Sequence, residues 1–472
     1  MSVRVIEQVF WQGRELAVAD PRPHTRGMGY RRLLIVLALV ASGCGEDDPS
    51  TRIVITGDDL VTCDIASRDC QQGIYDAVAA TLGAEELSIP PVRTISVDQH
   101  AEEVRAGLDV NDLSGDDPQS RALRLMGFLP PATDSLTGAQ AEYLIEAIAA
   151  YYSRRSRSIT VVDRDYDSPN GQVILAHEFI HAIQDSQFDL DSVSRGANTE
   201  DGVIGVRSVI EGDAMYSSFA WYYDVADIVL TDSDWESDLA LRTENLKSRL
   251  DDPSVALIDT ASSFPYSFGF EYMTELSLDG GLPARASAFA MPPSTTAEVL
   301  AGGPIPGVLL DIPGPAHPAP LDGAGLQNEN RYGAWYVYGF LVRQGVSSSD
   351  AWDTAQRWLG DELAIYQSDD EVVAVWRVRF DEDVEAGAFT DGVNANELDV
   401  ARTAVTFGDD SYVFAAESME TLLAWVDQPL DEMTASIVPK SAWVRGGAVS
   451  AGGCMLPNEP ALFDPHLFAR SH

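Results

Sequence analysis

The sequence predicts an α+β protein, mostly helical, with a small sheet whose edge strand leads into the helix that carries the chemistry. Three observations predict it. Ser158-Ile159-Thr160-Val161-Val162 is β-branched and strand-like, and Gln172 to Ser186 has the apolar content of a buried helix. That helix contains His177-Glu178-Phe179-Ile180-His181, the HExxH pattern.

The other elements follow from the same periodicities. Residues 73–83 and 139–152 read as helices, the second with Ala141, Leu144, Ile145, Ile148 and Ala149 along one stripe. The turn Asp167-Ser168-Pro169-Asn170-Gly171 after the strand is suited to open the HExxH helix. Residues 302–325 are rich in Pro and Gly and read as a surface loop or an extended strand over the core. Residues 331–344 and 349–359 then read as helices and 372–380 as a strand. From about Thr403 the pattern turns to short β-like runs at 411–415, 422–426 and 435–438. The expected organisation is a signal region over 1–43, a polar tether over 44–57 and a main domain over 58–402. A β-rich segment over 403–472 is either separate or part of that domain.

On a helix, residues i and i+4 share a face, so His177 and His181 can grip one zinc ion while Glu178 reaches the attacking water as general base. A buried histidine pair is the plainer alternative, but two histidines and a glutamate in so apolar a helix need a reason to be buried, and metal supplies one. A catalytic zinc takes three protein ligands. The HExxHxxGxxH branch is excluded, because Gln184 and Gln187 stand where it needs Gly and His. The next candidate is Glu211, awkward in the apolar and aromatic stretch from Val206 to Tyr223 unless it is paired or bound to metal. Its alternative is an ion pair with Arg207, one turn earlier. Asp213 and Asp185 are weaker candidates, for orienting a ligating imidazole. The expected set is one Zn²⁺ on His177, His181 and Glu211, with Glu178 as the base.

His177-Glu178-Phe179-Ile180-His181-Ala182-Ile183-Gln184-Asp185-Ser186-Gln187-Phe188-Asp189-Leu190, followed by Glu211-Gly212-Asp213-Ala214, resembles the gluzincin-type metallopeptidases of bacteria. In that family the first helix reads HExxHAxQDxxFDL and a second carries EGxA. Phe264-Pro265-Tyr266-Ser267-Phe268-Gly269, the PPST segment from Pro292 and the WxGD segment Trp358-Leu359-Gly360-Asp361 are also similar, so the resemblance runs from about Leu123 to Phe389. It implies a zincin-like peptidase fold with a peptide or protein substrate. It also implies an edge strand, here Ile159 to Val162, that receives extended peptide by strand addition. Tyr266 and Tyr272 become candidates for stabilising the oxyanion, with core packing the competing role, and His317, in the Pro-rich loop, is able to swing over the site, with plain solvation the competing role. The substrate itself is not implied.

Arg31-Arg32, the apolar run from Leu33 to Val40 and Ala41-Ser42-Gly43-Cys44 describe a lipoprotein-type secretory signal, with Met28 as an alternative start. Cys44 would carry the lipid, tethering the protein to the cell envelope on the periplasmic or outer-membrane side. The chain holds 74 acidic and 31 basic residues, a net charge of −43. Such a surface repels nucleic acid, which excludes that class of partner. Cys63 and Cys70 enclose a short loop and are the expected disulfide, leaving Cys454 unpaired or as an alternative partner. Two functions remain in view: an envelope zinc peptidase, and a non-catalytic zinc-binding lipoprotein that serves as a binding or scaffold module. The sequence says nothing of oligomeric state.

Overall fold

The computed structural model describes residues 54–56, 59–61, 64–107, 117–163, 169–225, 229–310, 312, 323–368, 371–395 and 401–426. The signal region, Cys44, Cys63, His317, Cys454 and the run at 435–438 lie outside the described residues. Cys70 is disulfide-bonded, and the chain's other three cysteines all fall outside them.

In chain order, a short hairpin of β1 (Val54–Thr56) and β2 (Asp59–Val61) is followed by α1 (Arg68–Thr81), β3 (Val92–Ser96) and α2 (Val97–Ala106). Next come α3 (Pro118–Met126), α4 (Leu136–Ala147), β4 (Ala150–Ser153) and β5 (Ser158–Asp163). The HExxH helix is α5 (Pro169–Phe188), followed by α6 (Leu190–Ser194), the long α7 (Glu200–Val225) and α8 (Asp232–Ser248). Then α9 (Leu257–Phe264) passes through a π-helical turn (Pro265–Gly269) into α10 (Phe270–Ala290), with α11 (Thr296–Leu300) beyond. The remainder is β6 (Gly325–Asn330), α12 (Ala334–Arg343), α13 (Ser348–Ala355), β7 (Trp358–Ser368), β8 (Glu371–Phe380), α14 (Asp383–Asn394), β9 (Ala401–Phe407), β10 (Asp410–Ala416) and α15 (Met419–Val426).

The α+β class holds, and four local expectations are corrected. The strand before the HExxH helix is not an edge. In the three-stranded sheet β3-β5-β4, β5 pairs in parallel with β3 and antiparallel with β4, so both its edges are used. The helix expected over 139–152 ends at Ala147, because Ile148 turns extended (φ −77°, ψ 122°) and Ala150–Ser153 pairs with β5. The helix expected over 349–359 stops at Ala355, and Trp358 opens the hairpin of β7 and β8. The run at 422–426 is helical, since Leu422 and Trp425 bury one face and Ser418 Oγ accepts from the Thr421 amide at 3.2 Å.

The second sheet has the order β6-β7-β8-β10-β9 and is antiparallel throughout. The strands at 401–407 and 410–416 therefore sit beside β8 in one sheet. Two apolar clusters make up most of the interior. One gathers α3, α9, α12, one face of this second sheet and the first half of α7, including Val203, Val209 and Ile210. The other gathers α1, α5, β4, β5 and the second half of α7, including Ala214, Met215 and Phe219. Helix α7 thus passes from one cluster to the other, and Glu211 lies where it crosses.

Two of the segments that carry the resemblance fasten the start of α7 and the turn beside it. Asp201, at its start, accepts from the Thr296 amide and hydroxyl at 2.7 Å each and from Arg331 Nε at 3.1 Å. Arg331 also donates to the Ser294 carbonyl at 3.0 Å, within the PPST segment. Asp361 of the WxGD segment fixes the adjoining turn, accepting from the amides of Tyr332 and Gly333 and from the indoles of Trp358 and Trp376 at 2.8–3.1 Å. Burial still leaves both carboxyls above their ordinary range, and these donors pull against it, which is how an acid is tolerated in such a core.

Candidate metal centre

Helix α5 is buried around nearly its whole circumference: Ile174, Leu175, Ala176, Phe179, Ile180 and Ile183 are each 3 % exposed or less. Its two histidines, one turn apart, face α7. His177 Nε2 lies 3.0 Å from His181 Nε2, and Glu211 Oε2 lies 3.3 Å from the first and 3.2 Å from the second. Four-coordinate zinc with bonds near 2.0–2.1 Å separates its ligand atoms by about 3.3 Å, so this triangle fits one face of such an ion's coordination tetrahedron. All three side chains are 1 % exposed. The trio is the one group of metal-ligating side chains among the described residues whose donor atoms converge. His177, His181 and Glu211 could therefore hold a metal ion, as the sequence expected.

The electrostatics of the trio agree. Burial pushes Glu211 up, but the charge of His181 and the hydrogen bonds from both imidazoles outweigh it and hold the carboxyl well below its ordinary range. Burial lowers His181, and the facing Glu211 more than reverses that. Glu211 thus favours positive charge at His181, whereas burial, with the charge of His181 adding, lowers His177. Arg207 approaches the other oxygen of Glu211 at 3.9 Å, which joins the two readings of Glu211 in one place.

His181 is oriented from behind by Gln184, one turn along. Its Nδ1–H donates to Gln184 Oε1 at 2.8 Å, and the Gln184 amide donates to Asp213 Oδ2 at 2.6 Å and to the Ile210 carbonyl at 2.9 Å. Asp213 is locked in turn by Arg285 Nε at 2.6 Å. The expected role of Asp213 is thus exercised at one remove, through Gln184. Asp185 orients no imidazole: it accepts from the Tyr152 hydroxyl at 2.9 Å and from the Leu190 amide at 3.3 Å. Asp189 takes a left-handed conformation (φ 53°) and caps α6, while Phe188 stacks on Phe289 at 4.2 Å. The QDxxFDL run therefore consists of one ligand-orienting residue and a set of fastenings for the end of α5.

Glu178 is 2 % exposed and is no ligand of the trio. Burial, with the charge of Glu211 adding, pushes its carboxyl up to about 7, against the pull of His181 and of the Tyr152 backbone amide. Its Oε2 is buried with no hydrogen-bond partner among the described residues. A carboxylate oxygen left so beside a cluster of metal-ligating atoms costs stability unless water or substrate meets it.

Tyr266 reaches the site and Tyr272 does not. The Tyr266 ring lies over His177 with centroids 6.4 Å apart, whereas Tyr272 packs in the first apolar cluster. Tyr266 is delivered by the π-helical turn, and that turn meets α7 backbone to backbone. A Cβ on Gly212 would stand 2.1 Å from the Gly269 carbonyl oxygen, and one on Gly269 would stand 2.7 Å from Ser208 Cα. This gives the glycine after Glu211 its physical reason. Gln184, Arg285 and the Tyr152 amide are the site groups the sequence reading missed. Only the QD of the resemblance hinted at the first, and nothing local marks the others.

Comparison with protein-family models, with curated proteins and with solved structures finds no match to this chain.

Proposed function

We propose that the protein is a zinc-dependent peptidase of the gluzincin kind, anchored in the bacterial cell envelope through a lipid on Cys44. The observation that carries this reading is Glu178: a buried carboxyl with an unpartnered oxygen, one residue from a ligating histidine. A site that holds metal only for structure has no use for it. The scaffold reading gains no comparable support.

Zinc, when bound, polarises a scissile carbonyl and acidifies water, the chemistry that an HExxH helix serves in hydrolysis. His177, His181 and Glu211 would hold it, and Gln184 keeps His181 in the tautomer that presents Nε2. Glu178 takes the proton of the attacking water and later delivers it to the leaving amine. Tyr266, whose ring lies over His177, is our candidate to donate a hydroxyl to the oxygen of the carbonyl under attack. Because β5 is central, strand addition at Ile159 to Val162 is ruled out, and β4 becomes the edge for an extended peptide. The backbone of Tyr152 on that strand touches Glu178, so a peptide laid along β4 would pass the base.

The test is Glu178→Gln. The variant should keep one zinc per chain and the wild-type melting temperature while peptide-library hydrolysis falls by about 10²–10⁴. Unchanged hydrolysis in the variant, or a zinc-loaded wild type that cleaves nothing across a broad library, would leave the scaffold reading in possession.

A further inference from the structure

A cleft lies between α8 and α10, with a volume of about 390 Å³. Its walls are two ladders of carboxylates, Asp232 and Glu236 on α8 and Glu271, Glu275 and Asp279 on α10. Within each ladder the acids recur every fourth residue, so neighbouring acids share a helix face with Cβ atoms about 5–6 Å apart. Between the ladders lie Trp235, Leu239 and Leu278, the last 44 % exposed. Thr274 also lines the cleft; it is wholly buried, and its Oγ1 has no hydrogen-bond partner among the described residues. An unpaired buried hydroxyl between acidic walls is an acceptor waiting for a donor.

We propose that this cleft binds a linear aliphatic polyamine. The ligand must carry several positive charges rather than one, because the cleft acids do not converge: among the described residues the only convergent metal-ligating group is the zinc trio. A polyamine sets its ammonium groups three or four methylenes apart, a separation similar to the repeat of the carboxylates. Its methylene segments suit the apolar strip of Trp235, Leu239 and Leu278, and an N–H can donate to Thr274 Oγ1. Burial and the neighbouring Glu275 raise the pKa of Glu271, so the α10 ladder repels itself without a cation. Lys247 relieves Glu271 from a distance, but its amino group is held by Glu244 at 2.9 Å and over the Trp352 ring at 4.2 Å. Among the described residues no Lys or Arg lines the cleft.

A chain of charge −43 attracts any polycation, so the test has to separate a site from general attraction. Spermine is titrated into the zinc-loaded full-length protein in a calorimeter at 0.15 M salt, where attraction between distant exposed charges is largely screened. One spermine per chain is expected. Affinity should fall about tenfold or more in Glu271→Gln/Glu275→Gln, which removes two of the five wall charges, and several-fold in Thr274→Val. The control Glu85→Gln/Glu86→Gln removes the same charge from exposed positions outside the cleft and should bind as wild type does. Each variant is first matched to wild type in its melting curve; if Thr274→Val fails that match, the two glutamate changes decide. Equal weakening in the cleft and control variants, several spermines per chain, or a single calcium ion bound in preference to spermine would each overturn the proposal.

Discussion

Gln184 shows how much a residue with no reactive chemistry can decide. It holds the imidazole of His181 with its carbonyl and is itself held by Asp213 through its amide, so neither end can turn without breaking a buried hydrogen bond. Gln184→Leu keeps the volume and removes both contacts. Zinc affinity should fall about 10–100-fold, as for other groups that orient a ligating histidine, while Glu178→Gln leaves it unchanged. Competition with a chelator of known affinity measures the difference, and equal affinity for Gln184→Leu and wild type would deny Gln184 this role.

Glu200 is a residue of the opposite kind, a buried acid with little compensation. Burial pushes its carboxyl up to about 7 from an ordinary 4.5, with only the Tyr336 hydroxyl, at 3.2 Å, and Arg207 pulling it back. Below about pH 4.5 the group is protonated in both folded and unfolded chains and costs nothing. As pH climbs towards 7 the unfolded chain releases the proton while the folded one keeps it. Stability therefore drops across that window and stays lost above it, by up to about 3 kcal/mol. Glu200→Gln keeps an acceptor for Tyr336 and cannot ionise. Urea unfolding at pH 5 and pH 8 should show a smaller loss of stability in the variant than in wild type, and parallel losses would show that Glu200 already ionises freely in the fold.

At the scale of elements, the contact between α7 and the π-helical turn matters most. Alanine favours a helix over glycine by about 1 kcal/mol, so Gly212→Ala would stabilise α7 in isolation. Here its Cβ would meet the Gly269 carbonyl oxygen at 2.1 Å, backbone against backbone, with no side chain free to move aside. The variant should lose roughly 3 kcal/mol or more in urea unfolding, the upper end for overpacking, and the displaced turn should carry Tyr266 away from His177. Gly387→Ala, on α14 with open space around it, should be neutral or slightly stabilising. Stability of Gly212→Ala at or above wild type would show that the turn yields cheaply.

The same scale explains what could be read from the sequence. HExxH declares itself because its meaning is local, and Glu211 stands out because a lone acid in an apolar run needs a partner. The rank of β5 within its sheet was illegible, since it depends on β3, far earlier in the chain, and on Ala150–Ser153. Those four residues look helical because Leu144, Ile145, Ile148 and Ala149 continue the helical spacing right up to them. The fit of Gly212 against Gly269 is hidden for the same reason: each glycine is unremarked until the other is placed beside it.

For the whole molecule, the trio sits at a seam. Helix α5 belongs to one apolar cluster, while α7 contributes Val209 and Ile210 to one and Ala214 and Met215 to the other, with Glu211 between. A metal ion held by His177, His181 and Glu211 would therefore tie α5 to α7 where the two clusters meet. Without it, three polar atoms remain crowded within 3.3 Å of one another in the interior. The unfolded chain cannot assemble this site, so zinc should stabilise the folded state by mass action, on the order of 4 kcal/mol when free metal is a thousand times the dissociation constant. Scanning calorimetry with and without chelator measures it, at one fixed salt concentration because self-repulsion in so acidic a chain also responds to salt. The chelated protein should melt lower, re-addition of zinc should restore the transition, and Glu178→Gln should behave as wild type. His181→Ala should melt at one temperature whether or not zinc is supplied. A wild type that melts identically with and without metal would mean that the two clusters hold together by packing alone, and that the ion contributes nothing to the fold.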